Sequence, residues 1–413
     1  PEMQAAAAVE GSRVQWRNLG LLALAELLGM TLWFSASAVV PALRVEWGLT
    51  TVQAAWLTMS VQVGFVIGTF VSAFANLPDV VNTRRLFAAS AFLGAASNAA
   101  FALLAEGLLL GTALRLLTGL FLAGIYPPGM KLAATWTRVH RGLAIGLLVG
   151  ALTVGSASPH LVRSLTSVPW PQVVLISTAL AALGGLVVLL VVRDGPFAAP
   201  PAQFEPRFIL QAMSQRSLRL ANLGYLGHMW ELYAMWAWIP AFLMVVYGAN
   251  SQVGGGLNFA SLMTFLVFVA GAVGSVVAGY LAECWGRCLV TSLAMAISGS
   301  MALLIGFIPL DWGWVIAIMS LIWGASVVAD SAQFSTGLTE ISEEAYRGTA
   351  LTFQTGLGFL LTIGTIRLVP ILVASSGWGV AFAFLAIGPV LGIGAMLRLR
   401  SLPESEAMAL GKR

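Results

Sequence analysis

Twelve apolar runs, each long enough to cross a bilayer as a helix, dominate this chain of 413 residues. They cover approximately residues 18–43, 50–75, 86–105, 107–136, 142–165, 170–192, 218–247, 254–282, 288–309, 313–338, 349–373 and 377–397. A helix needs about 20 apolar residues to span the hydrocarbon. The reading is an all-α membrane protein of twelve transmembrane helices. Six runs lie on each side of a polar segment, 193–219, which holds Pro196, Pro200, Pro201 and Pro206 among several charges. The expected organisation is therefore a six-helix half over 1–192, a cytoplasmic linker over 193–217, partly amphipathic along 208–213, and a second six-helix half over 218–413.

Composition agrees. Charged residues make up 9% of the chain, against roughly 25% in a soluble domain. The 44 glycines suit close-packed membrane helices. The first 17 residues are polar and Ala-rich, without the apolar core of a signal peptide. Cys284 and Cys288 are too few for a disulfide framework or a zinc site, and no metal or other cofactor is expected. The net charge of +4 does not indicate nucleic acid, because most basic residues fall between the apolar runs, where topology accounts for them.

Those basic residues set the orientation. With the N-terminus inside, sixteen Lys and Arg residues fall on the inner side, and only Arg44 and Arg163 on the outer side. Both termini are expected in the cytoplasm of a cell whose cytoplasmic (inner) membrane holds the protein as a multi-pass integral component.

The two halves share a register. Residues 26–33 read ELLGMTLW, and residues 231–238, 205 positions later, read ELYAMWAW. Within each copy Glu, Met and Trp stand at i, i+4 and i+7, on one face of a helix. Asp79 answers Glu283, and Arg141-Gly142 answers Arg347-Gly348, at nearly the same spacing. Six spans per half keep both copies in one orientation, as parallel repeats.

The segment Gly279-Tyr280-Leu281-Ala282-Glu283-Cys284-Trp285-Gly286-Arg287 resembles the cytoplasmic-loop signature of the major facilitator superfamily, G-x-L-A-(D/E)-x-x-G-R. The first-half copy keeps Asp79, Arg84 and Arg85 but has Asn82 where the glycine should be. Arg115-x-x-x-Gly119 resembles the family's R-x-x-x-G element. Gly146, Gly150 and Gly155 match its exporter-type glycine motif only in part. The resemblance implies a cavity lined by the first, fourth, seventh and tenth helices. In the signature itself, Gly279 and Gly286 permit close approach and a tight turn. Glu283 can pair with Arg287, or sit at the N-terminus of a neighbouring helix, where the dipole favours an anion. Either contact can latch one conformation and break in another. Asp79, Arg84 and Arg115 are placed with this gating group.

Ionisable residues within the runs carry the chemistry, because a charge in hydrocarbon is costly. Glu231, Glu26, His228 and Asp330 are candidate proton carriers. His228 lies one turn before Glu231, on its face. Arg367, His160, Glu26, Trp33, Trp238 and Tyr126 are candidate substrate contacts. Lys131 lies near a helix end, where snorkelling explains it.

Without a nucleotide fingerprint or a metal-ligand cluster, the chain reads as no enzyme. The reading is a proton-coupled secondary transporter of a small organic or inorganic anion, acting as a monomer by alternating access around a midplane site. Moving one charge across 100 mV is worth about 2.3 kcal/mol, so one proton suffices for accumulation. The single Arg367 of the eleventh run distantly resembles the organic-anion and oxalate branches of the superfamily. Two alternatives stand beside this reading. One is proton-driven efflux of a lipophilic cation through Glu26 and its aromatic face, and the other is a non-transporting scaffold or receptor on the same fold.

Overall fold

The computed structural model describes residues 13–75, 77, 81–137, 141–165, 168–197, 214–248, 256–342 and 347–412. Asp79 and the 208–213 stretch lie outside the described residues. Every regular element among the rest is helical. The first part holds α1 (Arg13–Met30), a 3-10 turn (Ser37–Val39), α2 (Val40–Glu46), α3 (Thr51–Phe74), α4 (Thr83–Leu104), α5 (Leu108–Leu122), α6 (Tyr126–Ala134), α7 (Arg141–Leu165) and α8 (Trp170–Leu190). The second holds α9 (Arg216–Gly248), α10 (Gly256–Trp285), α11 (Arg287–Ile305), α12 (Gly313–Ala329), α13 (Ser331–Ile341), α14 (Arg347–Leu385), α15 (Ile387–Arg400) and a closing 3-10 segment (Pro403–Gly411).

Among the described residues, 10 helices are long and apolar enough to cross a membrane. Two local features separate this from the twelve runs. The span Phe353–Arg400 joins the eleventh and twelfth runs across Gly377, whose φ of 82° only glycine adopts freely. The first run breaks after Met30 and resumes at Ser37. The fourth run also breaks, between α5 and α6, where Pro127 and Pro128 stand in the first turn of α6 and supply no N–H to the preceding carbonyls. The tenth breaks at Asp330.

The helices up to α8 meet those from α9 onward mainly in two seams: α7 against α10, the most extensive pairing among the described residues, and α3 against α14. The first seam is built from small residues. Ser275 donates to the carbonyl of Gly146 (3.3 Å), and a methyl group at Gly279 would reach the carbonyl of Gly142 at 3.2 Å. In the second, the ring of Phe70 covers Gly356. One contact recurs in both parts: Gly119 on α5 abuts the backbone carbonyl of Val61 on α3, and Gly324 on α12 abuts that of Val267 on α10. Glycine lets these backbones touch, so dispersion replaces the hydrophobic drive that helices lack in lipid.

Candidate functional site

An aromatic layer crosses the middle of the bundle. The broken segment after α1 contributes Trp33 and Phe34, and α3 contributes Phe65. Tyr233 and Trp236 come from α9, Phe268 from α10 and Phe359 from α14. The Trp33 ring lies 4.9 Å from Phe65 and 5.7 Å from both Tyr233 and Phe359. Phe34 meets Trp236 at 6.1 Å and Phe268 at 5.9 Å, and Trp236 stacks on Phe268 at 4.7 Å. The layer thus bonds the first part to the second. Each such pair contributes about 0.5–1.5 kcal/mol beyond area burial.

Cavities lie on both sides of it, as their order along α9 shows. The smaller, ≈ 30 Å³, touches Tyr225, Met229, Leu232, Tyr233 and Trp236, together with Tyr126. The larger, ≈ 120 Å³, touches Ala237, Trp238, Pro240, Ala241 and Met244. It lies at the end of the bundle away from both termini, because it is also lined by Arg44 in the last turn of α2 and by Thr51 at the start of α3. The close approaches of Gly142 to Gly279 and of Phe70 to Gly356 lie toward the other end.

The larger cavity holds the charged and imidazole groups, Arg44 and His160. Ser37 and Thr58 share a hydrogen bond of 2.6 Å. His160 is buried, and its Nε2 has no hydrogen-bond partner. Trp238 donates its indole N–H to the carbonyl of Ile366. Arg44 and His160 are the ionisable residues of the lining, and no carboxylate is among them.

The expected substrate contacts therefore divide. Trp238 and His160 line the larger cavity, and Tyr126 lines the smaller one. Trp33 belongs to the aromatic layer, while Arg367 and Glu26 line neither cavity. Arg367 projects from α14 beside Ile366, with Nη1 buried and unpaired. Sequence reasoning missed Arg44, Ser37 and Thr58. Arg44 had been assigned to an outer loop, although its being one of only two cations on that side was a usable signal.

The repeated glutamates, each on the face it shares with a Met and a Trp, line neither cavity. Each turns into its own part. Glu26 is fully buried against Gly129 of α6, and neither oxygen has a hydrogen-bond partner. Glu231 accepts from Ser298 Oγ of α11 (2.8 Å) and from Trp323 Nε1 of α12 (2.6 Å). His228 pairs with a different acid. Its Nδ1 lies 2.9 Å from Asp330 Oδ1, at the break between α12 and α13.

Arg115 binds the broken first run. Its guanidinium donates to Ser35 Oγ (3.0 Å), Asn98 Oδ1 (2.9 Å) and the carbonyls of Leu32 (3.0 Å) and Trp33. Those carbonyls stand where α1 has ended, so Arg115 supplies the donors that the broken helix lacks. Asn98 passes the network on to Val174 and Thr178 of α8.

At the terminal end, Arg287 pairs with Glu340 and not with Glu283. Nε and Nη2 form a fork to Glu340 at 2.7 and 2.6 Å, and Nη1 donates to Gln333 at 2.7 Å. Glu340 also accepts from the backbone N–H of Ala409 (3.1 Å) in the closing 3-10 segment. Glu283 lies beside the start of α7. Its Oε1 and Arg287 Nη1 would each stand 3.3 Å from a methyl at Gly142, in the first turn of α7, and Oε1 has no hydrogen-bond partner. Gly286, with φ 92°, forms the turn into α11. Arg84 binds the end of the sixth run, through Val192 O (2.8 Å) and Asp194 (3.3 Å).

A family model described as "Major Facilitator Superfamily" matches residues 22–329. The chain belongs to the Major Facilitator Superfamily. It is similar to the "Hexuronate transporter" of Escherichia coli (strain K12), at 23% identity over 410 residues that cover 92% of each chain. It also resembles the "MFS-type transporter pytF" of Aspergillus terreus, at 25% identity over 245 residues, 58% of this chain and 79% of that one. Among solved structures, the proton:xylose symporter XylE shares the fold, with a TM-score of 0.71 and 15% identity over 93% of this chain and 96% of that one. As a member of the superfamily, the protein is a multi-pass integral membrane transporter and not an enzyme. The signature around Glu283 and the Arg115–Gly119 element both fall within the matched residues.

Proposed function

We propose that the protein is a proton-coupled secondary transporter carrying a small organic or inorganic anion across the cytoplasmic membrane by alternating access. It works as a monomer of twelve spans, in six-helix halves over 1–192 and 218–413 joined by the linker 193–217. The halves are parallel repeats, and both termini are cytoplasmic. One observation carries the substrate class: the larger cavity presents Arg44 and His160 and, among the described residues of its lining, no carboxylate. A cation carrier needs an acid at that wall. The relative named a hexuronate transporter is consistent with an anionic cargo, and the neighbour named a proton:xylose symporter is consistent with proton drive. Glu231, Glu26 and the His228–Asp330 pair are the proton-carrying groups. They lie behind the aromatic layer, on the terminal side of the larger cavity. Glu283, opposite the start of α7, is the latch between the halves.

The test uses the full chain in liposomes with acid outside. D-glucuronate should accumulate, and a protonophore should abolish the accumulation. Extrusion of tetraphenylphosphonium without anion accumulation would replace this reading by cation efflux. Absence of any flux would leave a scaffold.

A further inference from the structure

We propose that the larger cavity holds its anion in one polarity, with the carboxylate at Arg44 on the rim and a hydroxyl-bearing body inward against Ser37, Thr58 and His160. The ligand class is a hydroxylated monocarboxylate, such as a sugar acid. The inference rests on the reading of this cavity as the substrate site.

Charge and depth separate the two ends of the cavity. Arg44 is exposed, and its recorded bond is a long one, from Nε to the carbonyl of Leu49 at 3.4 Å. Its terminal nitrogens are free to form the two-pronged contact that guanidinium makes with a carboxylate. Thr58 lies seven residues further along α3 than the exposed Thr51, about 10 Å deeper at 1.5 Å per residue. There the lining changes from charge to neutral donors and acceptors. In the Ser37–Thr58 pair, 2.6 Å apart, one hydroxyl hydrogen is used between the two. The other hydrogen and the remaining lone pairs are left for a ligand.

His160 is the second, independent sign. It is 2% exposed, and Nε2 has no partner. Buried polar atoms are normally paired, and an unpaired one costs free energy. A hydroxyl of the ligand supplies the missing partner, whereas a hydrocarbon body does not. Trp238 has already spent its N–H on Ile366, so it offers its ring face to the C–H side of the same body.

Calorimetric binding to the purified full chain tests this with three probes: D-glucuronate, D-glucose, which lacks the carboxylate, and cyclohexanecarboxylate, which lacks the hydroxyls. Glucuronate should bind at least about tenfold more tightly than either, the loss expected for one hydrogen bond to a charged or buried polar group. Arg44→Gln should bring glucuronate down to the glucose level. His160→Leu and Thr58→Val should bring it down to the cyclohexanecarboxylate level, leaving cyclohexanecarboxylate itself unchanged. If His160→Leu does not fold, His160→Gln and Thr58→Val decide the matter. Equal binding of glucuronate and cyclohexanecarboxylate, both above glucose, overturns the polarity and leaves anion transport standing. Equal binding of glucuronate and glucose, or binding of none by folded protein, overturns the anion reading and this inference with it.

Discussion

The indole nitrogen of Trp238 donates to the carbonyl of Ile366, 2.9 Å away. That carbonyl lies four residues before Pro370, inside α14. Proline has no N–H, so the helix cannot satisfy the group itself. Trp238 supplies the donor from α9 and so ties the proline-containing turn of α14 to the cavity wall, which both residues line. A ligand resting on this ring rests on a side chain fixed to that turn.

Trp238→Phe should therefore lower thermal stability in detergent, by about 1–3 kcal/mol for the orphaned carbonyl. Pro370→Ala restores a backbone donor to Ile366. In that background the Trp238→Phe loss should shrink by more than half. Additive losses would show that the bond contributes nothing.

Glu231→Gln should fold at least as well as the parent. The amide oxygen can accept from Trp323. The amide nitrogen can donate to Ser298, whose hydroxyl then turns wholly to the carbonyl of Met295, a bond it already makes at 3.3 Å. Proton-driven accumulation should stop, because the site no longer exchanges a proton, and substrate-for-substrate exchange should survive. Accumulation at the parent level would pass the carrier role to Glu26 or to the His228–Asp330 pair.

Glu340 and Glu283 should separate on mutation. Glu340→Gln breaks a two-pronged contact to a buried guanidinium and should cost about 1.5–3 kcal/mol of stability. Glu283→Gln alters a side chain that lies beside the start of α7 across the seam. It should change transport rate more than substrate affinity, by shifting the conformational equilibrium. The pattern is checked by melting curves beside initial rates, and unchanged rates in Glu283→Gln would leave that residue a topological charge.

Two glycine substitutions should fail differently. A methyl at Gly129 meets the end of the Glu26 side chain, which can move aside. Gly129→Ala should fold and lose proton-driven accumulation. A methyl at Gly119 meets the backbone of Val61, which cannot yield without parting α3 from α5. Gly119→Ala should cost about 1–3 kcal/mol or more and lower the yield of folded protein. Equal melting temperatures for the two variants would contradict this packing.

Apolar length and helical period are properties of consecutive residues, so the membrane class and helical content were legible directly. The superfamily was legible through the segment 279–287, because a turn with glycine at positive φ needs its residues at fixed spacing. The break in the fourth run was announced by Pro127 and Pro128, though it was not read as one. What a side chain reaches is a different matter, since it depends on which helix stands opposite. Glu231 and Trp238 share a face by period, yet two turns separate them, and one meets α11 and α12 while the other meets α14. Arg287 had Glu283 four residues away, but its fork closed on Glu340, 53 positions along the chain. Arg44 looked like a loop charge until the chain folded a cavity beside it. Sequence alone determined that this chain crosses a membrane as helices and which residues carry charge within them. The tertiary structure decided which of those charges share a cavity, because partners are chosen by helix packing, and packing is set by contacts far apart in the chain.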